Sequence, residues 1–279
     1  MARLDGDPRW GPESGGTLAI ARRFVEARQS ASVLPEFPGR LPRTLDEGYA
    51  CQEAAISLWT DEIAGWKVGR VPQEWEASVG ERRQAGPIFR REVREAGDGP
   101  VAFPVFVGGF AAVEAEFVWR AGEDAPPSKT HWTDEAAAAL AGSLHIAVET
   151  AGSPLATINA LGPTAVVSDF GNNAGLILGP EIPDWRDLPP RSLTCETFID
   201  GRSVGRGAAA AILDGPLGSL RFILEHCARR GRPLKRGQLV STGAATGVHD
   251  IVAGQVARVD FGDYGVIECV AQPAQARSG

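Results

Sequence analysis

The chain has 279 residues, 43% of them hydrophobic and 23% charged, ordinary proportions for a globular protein long enough to bury a sizeable core in one large domain or two modest ones. Its net charge of −7 argues against a generic DNA- or RNA-binding surface, which needs clustered Lys and Arg, but leaves room for an acidic small molecule at a locally cationic site. No run is apolar enough to span a bilayer, and Met1 to Trp10 lacks a signal-peptide stretch, so a cytoplasmic protein with no membrane partner is expected.

Leu18, Ala19, Ala21, Phe24 and Val25 fit one face of a first helix. After the break Leu34-Pro35-Glu36-Phe37-Pro38-Gly39, a second helix is expected over Leu45 to Trp59, with Asp46 and Glu47 at its positive end. From Trp66 the period changes. Val101 to Val107 is a short apolar run, Phe110 to Trp119 alternates, and Thr133 is an N-cap candidate for a short Ala-rich helix. Leu144 to Val148 alternates again, and Leu193 to Ile199 ends at Asp200-Gly201, a hairpin-turn signal. Pro216 to Arg230 reads as a helix stopped by Gly231, and Gln238 to Ser241, Gln255 to Phe261 and Val266 to Val270 read as closing strands. The expected class is α+β with a mixed or antiparallel sheet: a small helical N-terminal region, 1–65, before a strand-rich body, 66–279. Cys51, Cys195, Cys227 and Cys269 form no Cys-x-x-Cys pair and read as free thiols of a reducing compartment.

The segment Ala112-Val113-Glu114-Ala115-Glu116-Phe117-Val118-Trp119 is the most informative. On a strand, Val113, Ala115, Phe117 and Trp119 share one face, and Glu114 and Glu116 share the other about 6.5 Å apart. Like charges this close need water, a proton or a cation between them; alone, the pair reads first as a polar strand face in water. Glu149 ends a second, mostly apolar strand on the face opposite Leu144, Ile146 and Val148. Three converging carboxylates would suit Mg²⁺ or Mn²⁺ and leave positions for water and a chelating substrate. His145 reads as structural, because a hard cation does not need it.

Gly65-Trp66-Lys67-Val68-Gly69, Val113-Glu114-Ala115-Glu116, Ala147-Val148-Glu149, Val167-Ser168-Asp169-Phe170-Gly171-Asn172-Asn173-Ala174-Gly175-Leu176 and Ser241-Thr242-Gly243-Ala244 follow one another in this chain. In that order the sequence, over about residues 45–270, resembles the hydratase group of the fumarylacetoacetate hydrolase superfamily, which includes 2-keto-4-pentenoate hydratase, 2-oxo-hept-4-ene-1,7-dioate hydratase and 4-oxalocrotonate decarboxylase. The resemblance implies a fumarylacetoacetase-like rolled mixed β-sheet and a homo-oligomeric enzyme of aromatic-compound catabolism. It also implies a divalent ion (Mg²⁺ or Mn²⁺) on Glu114, Glu116 and Glu149, an active-site Lys67, and a pocket lined by the loop of Ser168 and Asp169 and by Thr242 and Gly243. A 2-oxo acid can chelate such an ion through its carboxylate and 2-oxo groups, and the ion then stabilises charge on the 2-oxo oxygen. Hydration of a 2-hydroxy-2,4-dienoate, decarboxylation of a 2-oxo-3-hexenedioate and C–C hydrolysis of an acylpyruvate all use that feature, so the motifs do not choose among them.

Lys67 either grips the substrate carboxylate or moves a proton, a role for which partial burial and a nearby cation would lower its pKa. Asp169 is either an acid or base, or a cap of the following turn. Two features depart from the group's pattern. The stretch Arg83-Gln84-Ala85-Gly86-Pro87-Ile88-Phe89 lacks the acid that precedes the glycine in the hydratases, and Ile146 stands near the place of a proline. The hydrolase reading expects a Glu–His pair in the N-terminal half, whereas the histidines are His131, His145, His226 and His249. A non-catalytic relative is the remaining alternative. There is no P-loop and no Gly-x-Ser-x-Gly elbow, and the Gly-rich Gly201 to Gly207 follows a hairpin turn rather than opening a helix.

Overall fold

The structure, a computed structural model, describes residues 16–277; the opening segment Met1 to Trp10 read above for a leader, and the start of the 1–65 region, lie outside them. In chain order the elements are α1 (Thr17–Ser30), α2 (Leu45–Leu58), β1 (Ile63–Arg70), α3 (Gln73–Val79), β2 (Arg83–Phe89), β3 (Val93–Glu95), β4 (Val101–Val105), β5 (Phe110–Ala121), α4 (Asp134–Leu140), β6 (Ala141–Ser153), α5 (Pro163–Ser168), β7 (Asn173–Glu181), β8 (Thr194–Ile199), β9 (Arg202–Ala208), α6 (Gly215–Arg229), β10 (Leu239–Ser241), β11 (His249–Asp250), β12 (Val256–Asp260) and β13 (Val266–Pro273). The larger sheet has the order β2-β1-β10-β5-β6-β7-β3, with β11 added on β5, and curls into a half-barrel; the smaller has the order β4-β13-β12-β8-β9. Both are mixed: β1–β10, β3–β7 and β4–β13 are parallel and the other pairs antiparallel.

The alternation of β5 and β6 is what places the site. Val113, Ala115, Phe117 and Trp119, with Leu144, Ile146 and Val148, face the main core, where they meet Val259, Phe261 and Ile267 of the smaller sheet. The Phe117 and Phe261 rings make an edge contact at 5.7 Å, and burying a side chain of that size is worth roughly 1.5–3 kcal/mol. The opposite face carries two smaller apolar clusters. Phe110, Ala112 and Ala151 pack against Ile20 and Phe24 of α1; Val118, Ala147, Leu176, Leu178 and Leu239 form the other. Glu114, Glu116 and Glu149 lie on this face between them.

The caps follow local chemistry. The Thr44 hydroxyl accepts from Glu47 N and that of Thr133 from Ala136 N, closing the first turns of α2 and α4. Asp200 and Gly201 take φ of 48° and 77° in the β8–β9 turn. Leu18 is 48% exposed; the buried stripe of α1 is Ile20, Ala21, Phe24, Val25 and Arg28, because the helix turns that side toward β5 and β6. β1 begins at Ile63, before the 65/66 division, and Gln52 of α2 donates to the carbonyls of Ala85 and Val167. Sequence reading passed over α3, α5, β1, β2, β3, β7, β9 and β11, which are short or carry internal Gly and Pro that read as breaks.

Candidate metal centre and cavity

Antiparallel pairing sets Glu114 directly opposite Glu149 and Glu116 opposite Ala147. The three carboxylates therefore share one face of two neighbouring strands, each offering an oxygen within 4.8 Å of the others. All three are buried. Glu116 Oε2 accepts from Ser241 Oγ at 2.5 Å and from Gly243 N at 2.8 Å. Glu149 Oε1 accepts from Asn173 Nδ2 at 3.0 Å. The second oxygens, Glu116 Oε1 and Glu149 Oε2, are buried with no hydrogen-bond partner. Buried acceptors without donors are costly. Two such oxygens in an all-carboxylate set fit a hard divalent cation, which needs oxygen ligands held in place by further hydrogen bonds.

Burial and the neighbouring charge of Glu149 push the Glu114 carboxyl up to about 7, with Lys67 pulling the other way. Burial, Glu149 and Glu114 together hold Glu116 well above the carboxylate range. Lys67, on β1, is 4% exposed. Its Nζ donates to Asn172 Oδ1 at 3.1 Å and lies 3.5 Å from Glu149 Oε1. Burial would depress this ammonium, but Glu149, Glu114 and Glu116 outweigh it and hold the pKa above its ordinary value. This direction holds with no ion bound, where three carboxylates surround the amine; the lowered pKa read from the sequence concerns the amine beside a cation.

A cavity of about 430 Å³ opens onto Lys67 and Glu114, with Arg70, Arg83, Gln84, Asn159, Asn172, Thr242 and Gly243 in its wall beside the apolar Val68, Val166, Ile212 and Leu213. Lys67, Arg70 and Arg83 bring positive charge to the wall, each beside a carboxylate: Glu149, Glu76 and Asp214 respectively. Thr242 lines this wall, but its hydroxyl donates to Phe117 O. Gly243, at φ 114°, directs its N–H to Glu116.

Ser168 and Asp169 do not line the cavity. Ser168 Oγ closes on Thr164 O within α5. Asp169 is buried and taken up by Arg28 at 2.5 Å and by Ser153 Oγ at 2.6 Å, which leaves it facing structural donors rather than a ligand. His145 bridges Ser143 Oγ and Gly179 O, as a structural residue would. Three contributors went unassigned from the sequence: Asn172, Asn173 and Ser241. Their signal was the Gly171-Asn172-Asn173 run, a composition suited to left-handed turns, and a serine one position before the expected Thr242.

With that geometry in view, likeness to known proteins is informative. No protein-family model matches the chain. It is 31% identical over 105 residues to 2-oxo-hept-4-ene-1,7-dioate hydratase of Escherichia coli (37% of this chain, 39% of that protein). It is 32% identical over 78 residues to 2-keto-4-pentenoate hydratase of Burkholderia vietnamiensis (28% of this chain, 30% of that protein). The chain thus matches well under half the length of either curated relative. Among solved structures, 4-oxalocrotonate decarboxylase from Pseudomonas putida G7, complexed with magnesium and adipate, superposes with a TM-score of 0.77 at 20% identity, covering 91% of this chain and 97% of that one. A yeast fumarylacetoacetate hydrolase family protein superposes with a TM-score of 0.52 at 12% identity, covering 76% and 96%. The chain has the fumarylacetoacetate hydrolase fold.

Within the fumarylacetoacetate hydrolase fold of this chain, β5 and β6 supply the carboxylates, β1 supplies the lysine, and the end of β10 with the residues after it supplies the donors to Glu116. Among the described residues no helix is long and apolar enough to cross a membrane.

Proposed function

We propose that this chain is a divalent-metal-dependent lyase that adds water to a 2-hydroxy-2,4-dienoate or its 2-oxo-4-enoate form, with Mg²⁺ or Mn²⁺ on Glu114, Glu116 and Glu149 and with Lys67 as the proton-moving group. The observation that carries this reading is the set of three buried carboxylates, two of them with an uncommitted oxygen, beside a buried lysine that lines a cavity. The two hydratases similar in sequence support it. The ion, when bound, supplies Lewis acidity to the 2-oxo oxygen of a chelating 2-oxo acid. Ser241 and Gly243 orient Glu116, and Asn173 orients Glu149. Asn172 and Glu149 fix the Lys67 ammonium, so that its proton sits at one place in the cavity rather than swinging. Val68, Val166, Ile212 and Leu213 keep bulk water from the substrate's carbon chain. We place the reaction in aromatic-compound catabolism and expect a cytoplasmic homo-oligomer.

One observation favours decarboxylation as a second reading. Gln84, a neutral amide, lines the cavity where the hydratase pattern has an acid, and water addition calls for one more proton-handling group than loss of CO₂ does. The test is an assay with Mg²⁺ or Mn²⁺ and three substrates, with products identified by mass. A gain of one water on 2-hydroxypenta-2,4-dienoate supports hydration. Loss of CO₂ from 2-oxo-3-hexenedioate supports the second reading, and pyruvate plus a second acid from an acylpyruvate replaces both with hydrolysis. Failure to turn over any of the three, with either metal, would sink the enzyme assignment.

A further inference from the structure

We propose that Arg28, on α1 and outside the substrate cavity, is a positioning residue for the metal-binding site. It clamps the turn from Asp169 to Asn173 so that two consecutive asparagines reach Lys67 and Glu149. The inference rests on the metal-binding reading above and concerns a residue that touches neither substrate nor ion.

Arg28 is 7% exposed and commits all three guanidinium nitrogens. Nε and Nη2 reach the two carboxylate oxygens of Asp169 at 2.5 and 3.0 Å, Nη1 donates to Asn173 O at 3.0 Å, and Nη2 donates to Gly152 O at 2.9 Å. Ser153 Oγ fixes the same carboxylate from β6 at 2.6 Å. The guanidinium therefore holds both ends of a five-residue segment and ties them to the end of β6. A planar fork can do this; a point charge cannot make the same set of contacts.

Between the two grips, Phe170, Gly171 and Asn172 take φ of 55°, 64° and 53°. Consecutive left-handed residues are disfavoured for a free chain and persist where the surroundings impose them. Phe170 is seated edge-on against Trp59 and Phe89, with the Arg28 guanidinium 5.2 Å from its ring centroid. The conformation gives adjacent side chains separate targets. Asn172 Oδ1 accepts from Lys67 Nζ while its Nδ2 donates to Asn159 Oδ1, and Asn173 Nδ2 donates to Glu149 Oε1. Were Arg28 lost, the segment could relax out of the left-handed region, and both asparagines would leave their partners together.

The test compares Arg28→Met, Arg28→Lys and the control Phe24→Leu, which thins the packing of the same helix without touching the turn. Each is measured metal-free for thermal stability and for amide exchange at residues 170–173, and then for Mn²⁺ affinity by electron paramagnetic resonance. The expected result is a rise of tenfold or more in the Mn²⁺ Kd of Arg28→Met with faster exchange at 170–173. Arg28→Lys, which keeps the charge and loses the fork, should fall in between, and Phe24→Leu should lose stability with its Kd unchanged. A Kd in Arg28→Met that matches wild type, or that moves only as far as in an equally destabilised Phe24→Leu, overturns the clamp. If Arg28→Met does not fold, a wild-type Kd and wild-type exchange in Arg28→Lys overturn it equally. A wild-type protein that takes up no Mn²⁺ sinks the metal reading instead, and the clamp is then decided by amide exchange alone, where unchanged protection at 170–173 counts against it.

Discussion

Glu114 is a residue at which stability and function oppose each other directly. Its carboxyl is raised to about 7 in the folded protein, against about 4.3 in an unfolded chain. Between those values the folded state keeps a proton that the unfolded state has released, so the contribution of Glu114 to stability falls as pH rises through the window and stays low above it. Lys67, raised above its ordinary value, remains charged throughout that range. In the metal-free protein, Glu114→Gln is therefore expected to match wild type near pH 4.5 and to exceed it by about 3–4 kcal/mol above pH 7, while losing Mn²⁺ binding. Chemical denaturation at the two pH values with a chelator present checks this; a variant less stable than wild type at pH 8 would contradict it. Lys67→Met separates the second role: a fall in kcat of about 10²–10⁴ is expected while Mn²⁺ still binds, read by parallel kinetics and metal titration. Glu114, Glu116 and Glu149 were legible in the sequence because each interrupts an apolar alternation. Arg28 also left a signal, since it follows Phe24 by four and Val25 by three on the apolar stripe of α1. That signal could not be used without knowing that Asp169 lies across from it.

At the scale of elements, the approach of the 170–172 turn to β2 is a tight constraint near the site. A Cβ at Gly86 would come within 2.0 Å of Phe170 O. Gly86→Ala is expected to cost on the order of 3 kcal/mol and to weaken the hold on Lys67, since β2 is the hydrogen-bonded neighbour of β1; thermal unfolding and the Mn²⁺ Kd report the two effects separately. This contact also explains why β2 escaped the sequence reading. Gly86 and Pro87 are turn residues by local chemistry, yet here the glycine admits a neighbouring backbone and the strand continues through it. Long strands with clean alternation, β5 and β6, were legible within a few residues of their ends. Strands of two or three residues, such as β3 and β11, owe their existence to partners distant in sequence and carry no period of their own.

At the scale of the molecule, the four cysteines test how well the core is sealed. Cys51, Cys195, Cys227 and Cys269 are free and buried, and burial raises their thiols to between about 11 and about 12. The native protein is expected to resist iodoacetamide at pH 8 and to take up four equivalents once denatured, because only the accessible thiolate reacts; intact mass before and after urea gives the count. The α+β class and the mixed sheet followed from pattern and from the resemblance. The layering did not, because which strand covers which face depends on pairings between segments far apart in the chain.

The Glu114–Glu149 pairing makes the ligand set an all-or-none property of a single alignment. Side chains alternate strictly along both strands, so a slip of β6 by one position would turn Glu149 into the main core and bring Val148 onto the opposite face. The apolar interior rejects that arrangement because it would bury a carboxylate among Phe117, Phe261 and Ile267. The residues that never meet a ligand thus proofread the positions of those that do, and a change to the packing of β5 against β6 would be felt first as a loss of metal fidelity.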